Sequence, residues 1–306
     1  MPRIQRPSFR PQESAESLRV SESLRDPSEY DDREGYNPAF LLPDPTLPLP
    51  GLGAWAGDAV RFQWKGQQAF VLDYTHFSTV HSTSRRLPIL SAVNIDGTAE
   101  QTDIERTDVW RYDPRIPKKL QILRECYGSE QQGFFSRGHQ TRREDPNWGD
   151  ADTATVADAD TFHATNAAPQ MQKFNGKGWL RIEDHVLHNA NKNDMRVSVF
   201  TGPVLLDNDP VLFGVKIPVT FWKIVAFIHD RTGELRATAY TADQAAFLGV
   251  APSFVFGAFG NHQVSVERVE ALTGLQFGVL NDIDVLREAG RAFSVRLESV
   301  DDIMLD

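Results

Sequence analysis

Apolar and polar residues alternate along several stretches of the chain, a pattern that predicts β-strands. Residues 60–64 and 68–74 are expected to form a hairpin, and further strands are predicted at 75–81, 89–97 and 195–203. Residues 219–228 read as a strongly buried strand, with 235–241 returning antiparallel to it across a turn. The alternation resumes at 293–297. We therefore expect an α+β fold built on a central antiparallel β-sheet flanked by helices.

Helices are predicted in the intervals between these strands. A short helix is expected within 118–127, and others at 151–162, 179–191 and 264–273, the last of them ended by Gly274. The stretch 105–115 reads as a loop. Four aspartates in or next to the second helix lack the glycine and the terminal glutamate of a calcium-binding loop. We interpret them as a solvated helix face: Asp150, Asp152, Asp158 and Asp160.

The first 57 residues differ in composition from the rest, because they hold nine of the eighteen prolines. Proline fixes φ and lacks an amide donor, so residues 41–51 can form neither a helix nor a central strand. We divide the chain into a proline-rich extension, 1–57, and a folded domain, 58–306. The extension is either a tether partly packed on its own domain or an arm that binds a partner or a second copy of the chain.

The overall composition is that of a globular protein, with 306 residues, 41% of them hydrophobic and 24% charged. A formal net charge of −10 argues against a protein that coats nucleic acid by bulk electrostatics, but it allows an enzyme with a local basic cleft. The single cysteine, Cys126, excludes an internal disulfide. No apolar run predicts a signal peptide or a membrane span, so a cytoplasmic location is expected.

One short motif carries candidate chemistry: Arg137, Gly138 and His139 stand together after two aromatic residues. Arginine can hold a phosphate in a planar fork, and histidine can accept a proton near neutral pH. The glycine would let the backbone turn tightly between them. Because such triplets arise by chance, the motif needs support from the rest of the chain. Two other histidines, His76 and His81, are interpreted as structural.

The helix predicted at 179–191 offers a second candidate. Its apolar residues at 179, 182 and 186 share one face, and Asn175 points the same way while Glu183 flanks that face. An amide and a carboxylate are thereby aimed towards the buried side. Their alternative roles are a helix N-cap for Asn175 and a surface carboxylate for Glu183.

These motifs occur in an order that resembles the DNA/RNA non-specific endonuclease family, of the ββα-metal, HNH-like superfamily. Residues 137–139 are followed by 165–170, by Asn175 with Trp179 and Glu183, and then by 201–203, 217–223, 264–267 and 272–275. The resemblance covers roughly residues 60–285 and implies a ββα-metal active-site motif. The family motif usually begins with aspartate, where this chain has Ser136. That aspartate is neither base nor metal ligand in the family, so activity is expected to survive.

The resemblance implies a role for each matched residue. His139 would be the general base that activates a water for attack on phosphorus, and Arg137 would orient the scissile phosphate. Asn175 would be the sole direct protein ligand of one Mg²⁺, with Mn²⁺ or another divalent ion as the alternative. Glu183 would hold metal-bound waters.

Further site residues are implied on either side of the motif. Asn166 and Gln170 are expected to shape the site. The family also has a catalytic arginine upstream of the motif, for which Arg106 and Arg111 are both candidates.

The implied function is cleavage of DNA and RNA with little sequence specificity, because such a site reads the backbone, and it leaves 5′-phosphate ends. One alternative is a catalytically silent module that binds nucleic acid or protein on the same fold. A further hypothesis, compatible with the endonuclease, is a regulated toxin or defence effector whose extension mediates a homodimer or binds a regulatory partner. Export by a non-classical route stays open beside the cytoplasmic location.

Overall fold

A central antiparallel β-sheet dominates the computed structural model, which describes residues 19–21, 23–106, 108–127, 135–172, 174, 195–248, 261–288, 294–297 and 302–304. The strands in these ranges are β1 (Arg19–Ser21), β2 (Phe62–Trp64), β3 (Gln67–Ala69), β4 (Val71–Asp73), β5 (Phe77–His81), β6 (Pro88–Asp96), β7 (Val109–Arg111), β8 (Phe135–His139), β9 (Ala167–Met171), β10 (Arg196–Val204), β11 (Val211–Leu212), β12 (Val215–Lys216), β13 (Thr220–Ile228), β14 (Leu235–Asp243), β15 (Asn261–Val264) and β16 (Ser294–Leu297).

Eight of these strands form the central sheet, in the order β16–β15–β14–β13–β10–β6–β5–β4, and each neighbouring pair is antiparallel. The four middle strands have nine residues each. Strand β13 is buried along almost its whole length because it is apolar on both faces. The central antiparallel sheet expected from the sequence is therefore confirmed.

The remaining strands form pairs beside the sheet. Strands β2 and β3 form a hairpin that turns at Lys65 and Gly66, as predicted, but residues 71–73 of the predicted second strand form β4 of the central sheet instead. Strand β11 pairs with β12. Strand β7 lies parallel to β1, so residues 109–111 form a strand rather than the expected loop. Strands β8 and β9 are separated by residues 140–166 but form an antiparallel pair of their own, which we call the β8–β9 hairpin. This hairpin carries the Arg-Gly-His motif.

Helices in the described ranges are few and mostly short: α1 (Ala151–Thr161), α2 (Ala245–Leu248), α3 (Val266–Thr273), α4 (Val279–Asp282) and α5 (Val285–Glu288). The Asp150 side chain caps α1 by accepting from the Thr153 amide. Helix α3 ends at Gly274, which adopts the left-handed conformation predicted for it. None of the helices in these ranges is long and apolar enough to cross a membrane.

The helix predicted within 118–127 is wrong, because only a 3-10 turn forms there, over Lys118–Leu120. Gln121 leaves the helical conformation (φ −125°, ψ 134°) because its side-chain amide bonds the main chain of Asp113. Its Oε1 accepts from the Asp113 amide at 2.8 Å, and its Nε2 donates to the Asp113 carbonyl at 2.9 Å. These bonds hold Gln121 against a segment outside the predicted helix, so a tertiary contact overrides the local helical pattern here.

The interpretation of the four aspartates as a solvated face is wrong for two of them. Asp158 and Asp160 are fully buried at the end of α1. Arg143 donates to Asp158 at 2.7 Å, and Arg33 donates to Asp160 at 2.8 Å. Buried carboxylates need such partners, and both arginines are distant enough in sequence that helical periodicity could not reveal them.

The described part of the N-terminal segment packs against the domain. Tyr30, Tyr36 and Leu47 are buried in the main hydrophobic core. Further along, the main chain of Gly51 exchanges two 2.8 Å hydrogen bonds with Gln276. Residues 26–57 are thus part of the packed structure, while the domain boundary at residue 57 stays a prediction.

Candidate active site

The Arg-Gly-His motif lies on β8, whose hydrogen-bonded partner is β9. The register places Arg137 opposite Pro169 and His139 opposite Ala167. Because neighbouring residues of a strand point to opposite faces, Arg137 and His139 share one face of this hairpin, and Ser136 and Gly138 share the other. The ββα arrangement that the resemblance implied stays a prediction, although these two strands have the antiparallel pairing that it requires. The helix predicted at 179–191 lies outside the described residues.

The face that carries His139 rests on a small hydrophobic cluster separate from the main core. Trp110 and Phe162 belong to this cluster and are both buried. The His139 ring lies 4.7 Å from the Trp110 ring and meets Phe162 edge-on at 5.0 Å. The two aromatic side chains also pack edge-to-face at 5.3 Å. The histidine ring is therefore held on two sides by large, rigid neighbours.

This environment keeps His139 neutral. Burial of the ring, together with the positive charges of Arg106, Arg143 and Arg142, lowers the pKa of His139 to about 3. The residue keeps some solvent contact, but its Nε2 atom is buried, and no described residue hydrogen bonds to it. A neutral imidazole can accept a proton, but a pKa this low makes His139 a weak base in the free protein.

Arg106 and Arg111, the two candidates for the upstream arginine, lie in different surroundings. The Arg106 guanidinium lies over the Phe162 ring, 5.8 Å from its centroid, and is ion-paired with Asp108. Arg111 instead donates to the Val109 carbonyl at 3.0 Å. Burial and the charge of Arg25, rather than anything in the His139 site, lower the pKa of Arg111. Of the two guanidinium groups, that of Arg106 lies beside an aromatic neighbour of His139, and which of the two is catalytic stays a prediction.

Arg142 and Arg143 follow the motif and add positive charge beside it. The Glu144 carboxylate accepts from Arg142 at 2.7 Å and from Arg143 at 2.6 Å, so it bridges the pair. Arg143 also donates to the buried Asp158. The sequence shows Arg142 and Arg143 only as part of a polar run. Their ion pairs with Glu144 and Asp158 determine where the two guanidinium groups lie.

Arg137 is buried and directed at the main chain. Its Nε and Nη2 donate to the Leu123 carbonyl at 3.0 and 2.6 Å, and its guanidinium lies 5.0 Å from the Tyr127 ring centroid. Burial lowers the pKa of Arg137. Its Nη1 has no hydrogen-bond partner among the described residues. Arg137 thus ties residue 123 to the hairpin and keeps one nitrogen for another acceptor.

Gln170 and Gly138 meet on the opposite face of the hairpin. A Cβ atom on residue 138 would lie 2.1 Å from the Gln170 Oε1 atom. The glycine is required by this close approach, whereas the tight turn expected from the sequence is absent because Gly138 lies within a regular strand. Both polar atoms of the Gln170 amide are buried without a partner in the described part of the chain.

Asn166 shapes the site by fixing the chain that leaves it. Its Oδ1 accepts from the Thr141 amide and its Nδ2 donates to the Thr141 carbonyl, each at 2.9 Å. The same Nδ2 donates to the Thr161 carbonyl at 3.0 Å. Asn166 therefore joins the segment just after His139 to the end of α1, and both of its amide protons are used in doing so.

The predicted metal ligand, Asn175, and Glu183, which was predicted to hold metal-bound waters, lie outside the described residues. Phe174, directly before Asn175, is buried and packs 5.4 Å from Phe221 of the central sheet. Across the described ranges, no group of three or more His, Cys, Asp or Glu side chains could hold a metal. One amide oxygen and one carboxylate are donors that suit a water-rich Mg²⁺ shell, so their chemistry fits the ion.

A hairpin that presents a neutral histidine among arginines defines a site able to remove a proton beside an anion, as phosphodiester hydrolysis requires. A family model described as DNA/RNA non-specific endonuclease matches residues 56–280. The chain therefore belongs to the DNA/RNA non-specific endonuclease family, a family of hydrolases.

Two individual proteins illustrate the similarity. The uncharacterized protein y4fB of Sinorhizobium fredii is 37% identical over 284 residues, and the alignment covers 86% of this chain. The chain spans 42% of the length of that relative. A chain in the crystal structure of the EndoG/EndoGI complex superposes with a TM-score of 0.48 at 20% identity, covering 70% of this chain and 86% of the other.

Proposed function

We propose that this protein is a metal-dependent endonuclease that hydrolyses phosphodiester bonds of DNA and RNA with little sequence specificity. The observation that supports this most directly is the position of His139, between Trp110 and Phe162 with the positive charges of Arg106, Arg142 and Arg143 near it. Membership of the endonuclease family supplies the substrate class. The second strand of the hairpin and Asn166 hold the histidine in place.

In this proposal His139 takes a proton from the attacking water at a ring nitrogen, which the neutral form allows. The attack forms a bond from the water oxygen to phosphorus and breaks the bond to the 3′ oxygen, which takes a proton from solvent water, so that a 3′ hydroxyl and a 5′-phosphate end are left. Arg106 stabilises the negative charge that develops on the phosphate oxygens. Arg137 donates from its remaining nitrogen, Nη1, to the phosphate, and its bond to the Leu123 carbonyl keeps residue 123 against the hairpin.

Asn175 and Glu183 would hold a divalent ion, Mg²⁺ or Mn²⁺, the first directly and the second through water. When bound, the ion supplies charge stabilisation at the phosphate and at the leaving oxygen. Metal titration of the protein by calorimetry, with Asn175→Ala as the comparison, tests this assignment without any activity measurement. Equal metal binding by both proteins would remove Asn175 from the site.

The direct test is cleavage of supercoiled plasmid and of structured RNA across a series of divalent ions. Wild type should cleave both with Mg²⁺ or Mn²⁺ and stop when EDTA is added. His139→Ala should lose at least about a thousandfold in rate while keeping a cooperative unfolding transition. Undiminished cleavage by the folded variant would overturn the proposal.

A catalytically silent binding module is the competing function. It predicts nucleic-acid binding that His139→Ala does not change and no metal-dependent turnover by wild type. A toxin or defence role and a cytoplasmic location are further proposals. The role of the extension as a partner arm is best tested by removing residues 1–18 alone, because deletion to residue 57 would also remove core residues such as Tyr30 and Leu47.

A further inference from the structure

The segment before the family-matched region reaches the back of the active site. The match begins at residue 56, whereas Tyr30 and Arg33 lie more than twenty residues earlier. Tyr30 is the last residue of a 3-10 turn, Pro27–Tyr30, that a local capping box stabilises. The Asp26 side chain caps the start of this turn, and the Glu29 side chain accepts a hydrogen bond from the Asp26 amide. This fixed turn delivers the Tyr30 side chain into the core.

The Tyr30 hydroxyl meets the Nε2 atom of His163 at 2.6 Å in a buried contact. The Nδ1 atom of His163 lies 2.8 Å from the Asp160 carbonyl, which can only accept, so Nδ1 carries the proton. Burial lowers the pKa of His163, and in its neutral form Nε2 is therefore an acceptor. Tyr30 consequently donates to His163, and the tautomer is set by both partners.

Arg33 grips the other end of the same short segment. Its Nε donates to the buried Asp160 carboxylate at 2.8 Å, and the same oxygen accepts from the amide and hydroxyl of Thr75 at 3.1 and 2.9 Å. Tyr30 and Arg33 together thus hold residues 160 and 163 from the side remote from the hairpin.

The residues between these two anchors contact the site itself. Phe162 packs edge-on against His139, and the Thr161 carbonyl accepts from Asn166, which also holds Thr141. The carbonyl of Asn166 accepts from the amide of residue 140, directly after His139, at 2.8 Å. A shift of residues 160–163 would therefore move the ring that supports His139.

We infer that Tyr30 and Arg33 are positioning residues for His139, acting through residues 160–166. This inference concerns the same site as the proposed endonuclease activity and rests on it for its kinetic test. It assigns to the N-terminal segment a role in the chemistry of the domain, beyond that of a tether.

The chain offers a matched control for Tyr30. Tyr36 is also a buried tyrosine of the same segment, and its hydroxyl donates to the Leu47 carbonyl at 2.9 Å. Its ring packs 5.3 Å from Phe200 in the central sheet, not against residues 160–163. Tyr30→Phe and Tyr36→Phe each remove one buried hydroxyl, but only the first touches the proposed route.

The kinetic test compares kcat and KM for plasmid cleavage at a temperature well below both melting transitions. Tyr30→Phe should lower kcat roughly tenfold with KM within about twofold, since misplacing a catalytic group costs rate more than binding. Tyr36→Phe should keep kcat within about twofold. Arg33→Met should resemble Tyr30→Phe, and Arg33→Lys should recover part of the loss. Equal kcat losses in the two tyrosine variants would overturn the inference.

A second measurement does not depend on activity. The rate at which diethyl pyrocarbonate modifies His139, followed by peptide mass spectrometry, should rise roughly threefold or more in Tyr30→Phe and stay unchanged in Tyr36→Phe. If wild type showed no metal-dependent cleavage, the proposed function would fail while this rate still tested the positioning role. An unchanged rate in Tyr30→Phe would overturn it.

Discussion

The side-chain amide of Gln170 packs against Gly138, and a Cβ atom at residue 138 would lie 2.1 Å from its Oε1 atom. This contact explains why glycine separates Arg137 from His139 in the motif. The two catalytic candidates lie on one face of the hairpin, and the glutamine on the other needs the space beneath the strand. The glycine of the motif is therefore needed for packing against Gln170, whereas Arg137 and His139 are the residues that could take part in chemistry.

Gly138→Ala should disturb the hairpin, because the added methyl group has to displace a buried side chain. We expect a loss of roughly 1–3 kcal/mol in the free energy of unfolding, measured by urea denaturation, together with a fall in cleavage rate. Gly57→Ala is the matched control, since a Cβ there meets nothing within 4 Å, and it should stay within about 0.5 kcal/mol of wild type.

The same contact predicts coupling between the two positions. Gln170→Ala removes the obstacle, so the double variant with Gly138→Ala should be more stable than the sum of the single effects by about 1 kcal/mol or more. Additive losses in this double-mutant cycle would show that Gln170 is not what the alanine meets.

Arg106→Gln should identify the upstream arginine. Loss of a charge that stabilises the transition state costs roughly a hundredfold or more in kcat. Because Arg106 also helps to lower the pKa of His139, its removal should raise that pKa and move the acid limb of the rate profile to higher pH. Arg111→Gln should show a smaller loss and no such movement. A larger loss in Arg111→Gln would reverse the assignment.

Ser136→Ala tests the departure from the family motif. Ser136 lies on the hairpin face opposite His139 and pairs with Gln170 on β9. We expect kcat within about threefold of wild type, because most substitutions away from the reacting groups have small effects. A loss comparable to that of His139→Ala would mean that the hydroxyl takes part in the chemistry.

His81 predicts a loss of stability in acid. Burial lowers its pKa from 6.5 to about 4, and its Nε2 donates to the Leu120 carbonyl at 2.8 Å. The folded protein binds fewer protons at this site than the unfolded chain, so its contribution is complete above pH 6.5 and is lost as the pH falls towards 4. The shift corresponds to roughly 3 kcal/mol.

The measurement is the free energy of unfolding at pH 7, 6, 5 and 4.5 for wild type and His81→Gln. The variant should lose less stability over this range, by about 1 kcal/mol per pH unit near pH 5. Parallel curves for the two proteins would show that His81 does not contribute to the acid sensitivity. Lowered pKa values at His139 and His163 should leave some slope in the variant.

Sequence patterns were sufficient for much of the sheet. Alternation located β6, β10, β13 and β14 within a few residues, because a strand that packs in a core must carry its own apolar face. Strands β8 and β9 were not predicted from the sequence, and the structure shows them as an antiparallel pair. The roles of His139, Arg137, Asn175 and Glu183 stay predictions.

Tertiary structure decided what depends on partners far apart in the chain. Asp158 and Asp160 were predicted to be solvated, but in the structure they are buried and paired with Arg143 and Arg33. The helix predicted from residue 118 stops at Gln121, whose side chain bonds the main chain of Asp113.

The Arg-Gly-His motif was visible in the sequence, but its place on a strand was not, because a tight turn was expected at Gly138. The sequence did not show that this histidine is neutral or that Trp110 and Phe162 pack against it. It also did not show the hydrogen bond between Tyr30 and His163. Burial and charge at a point are sums over neighbours that only the folded chain brings together.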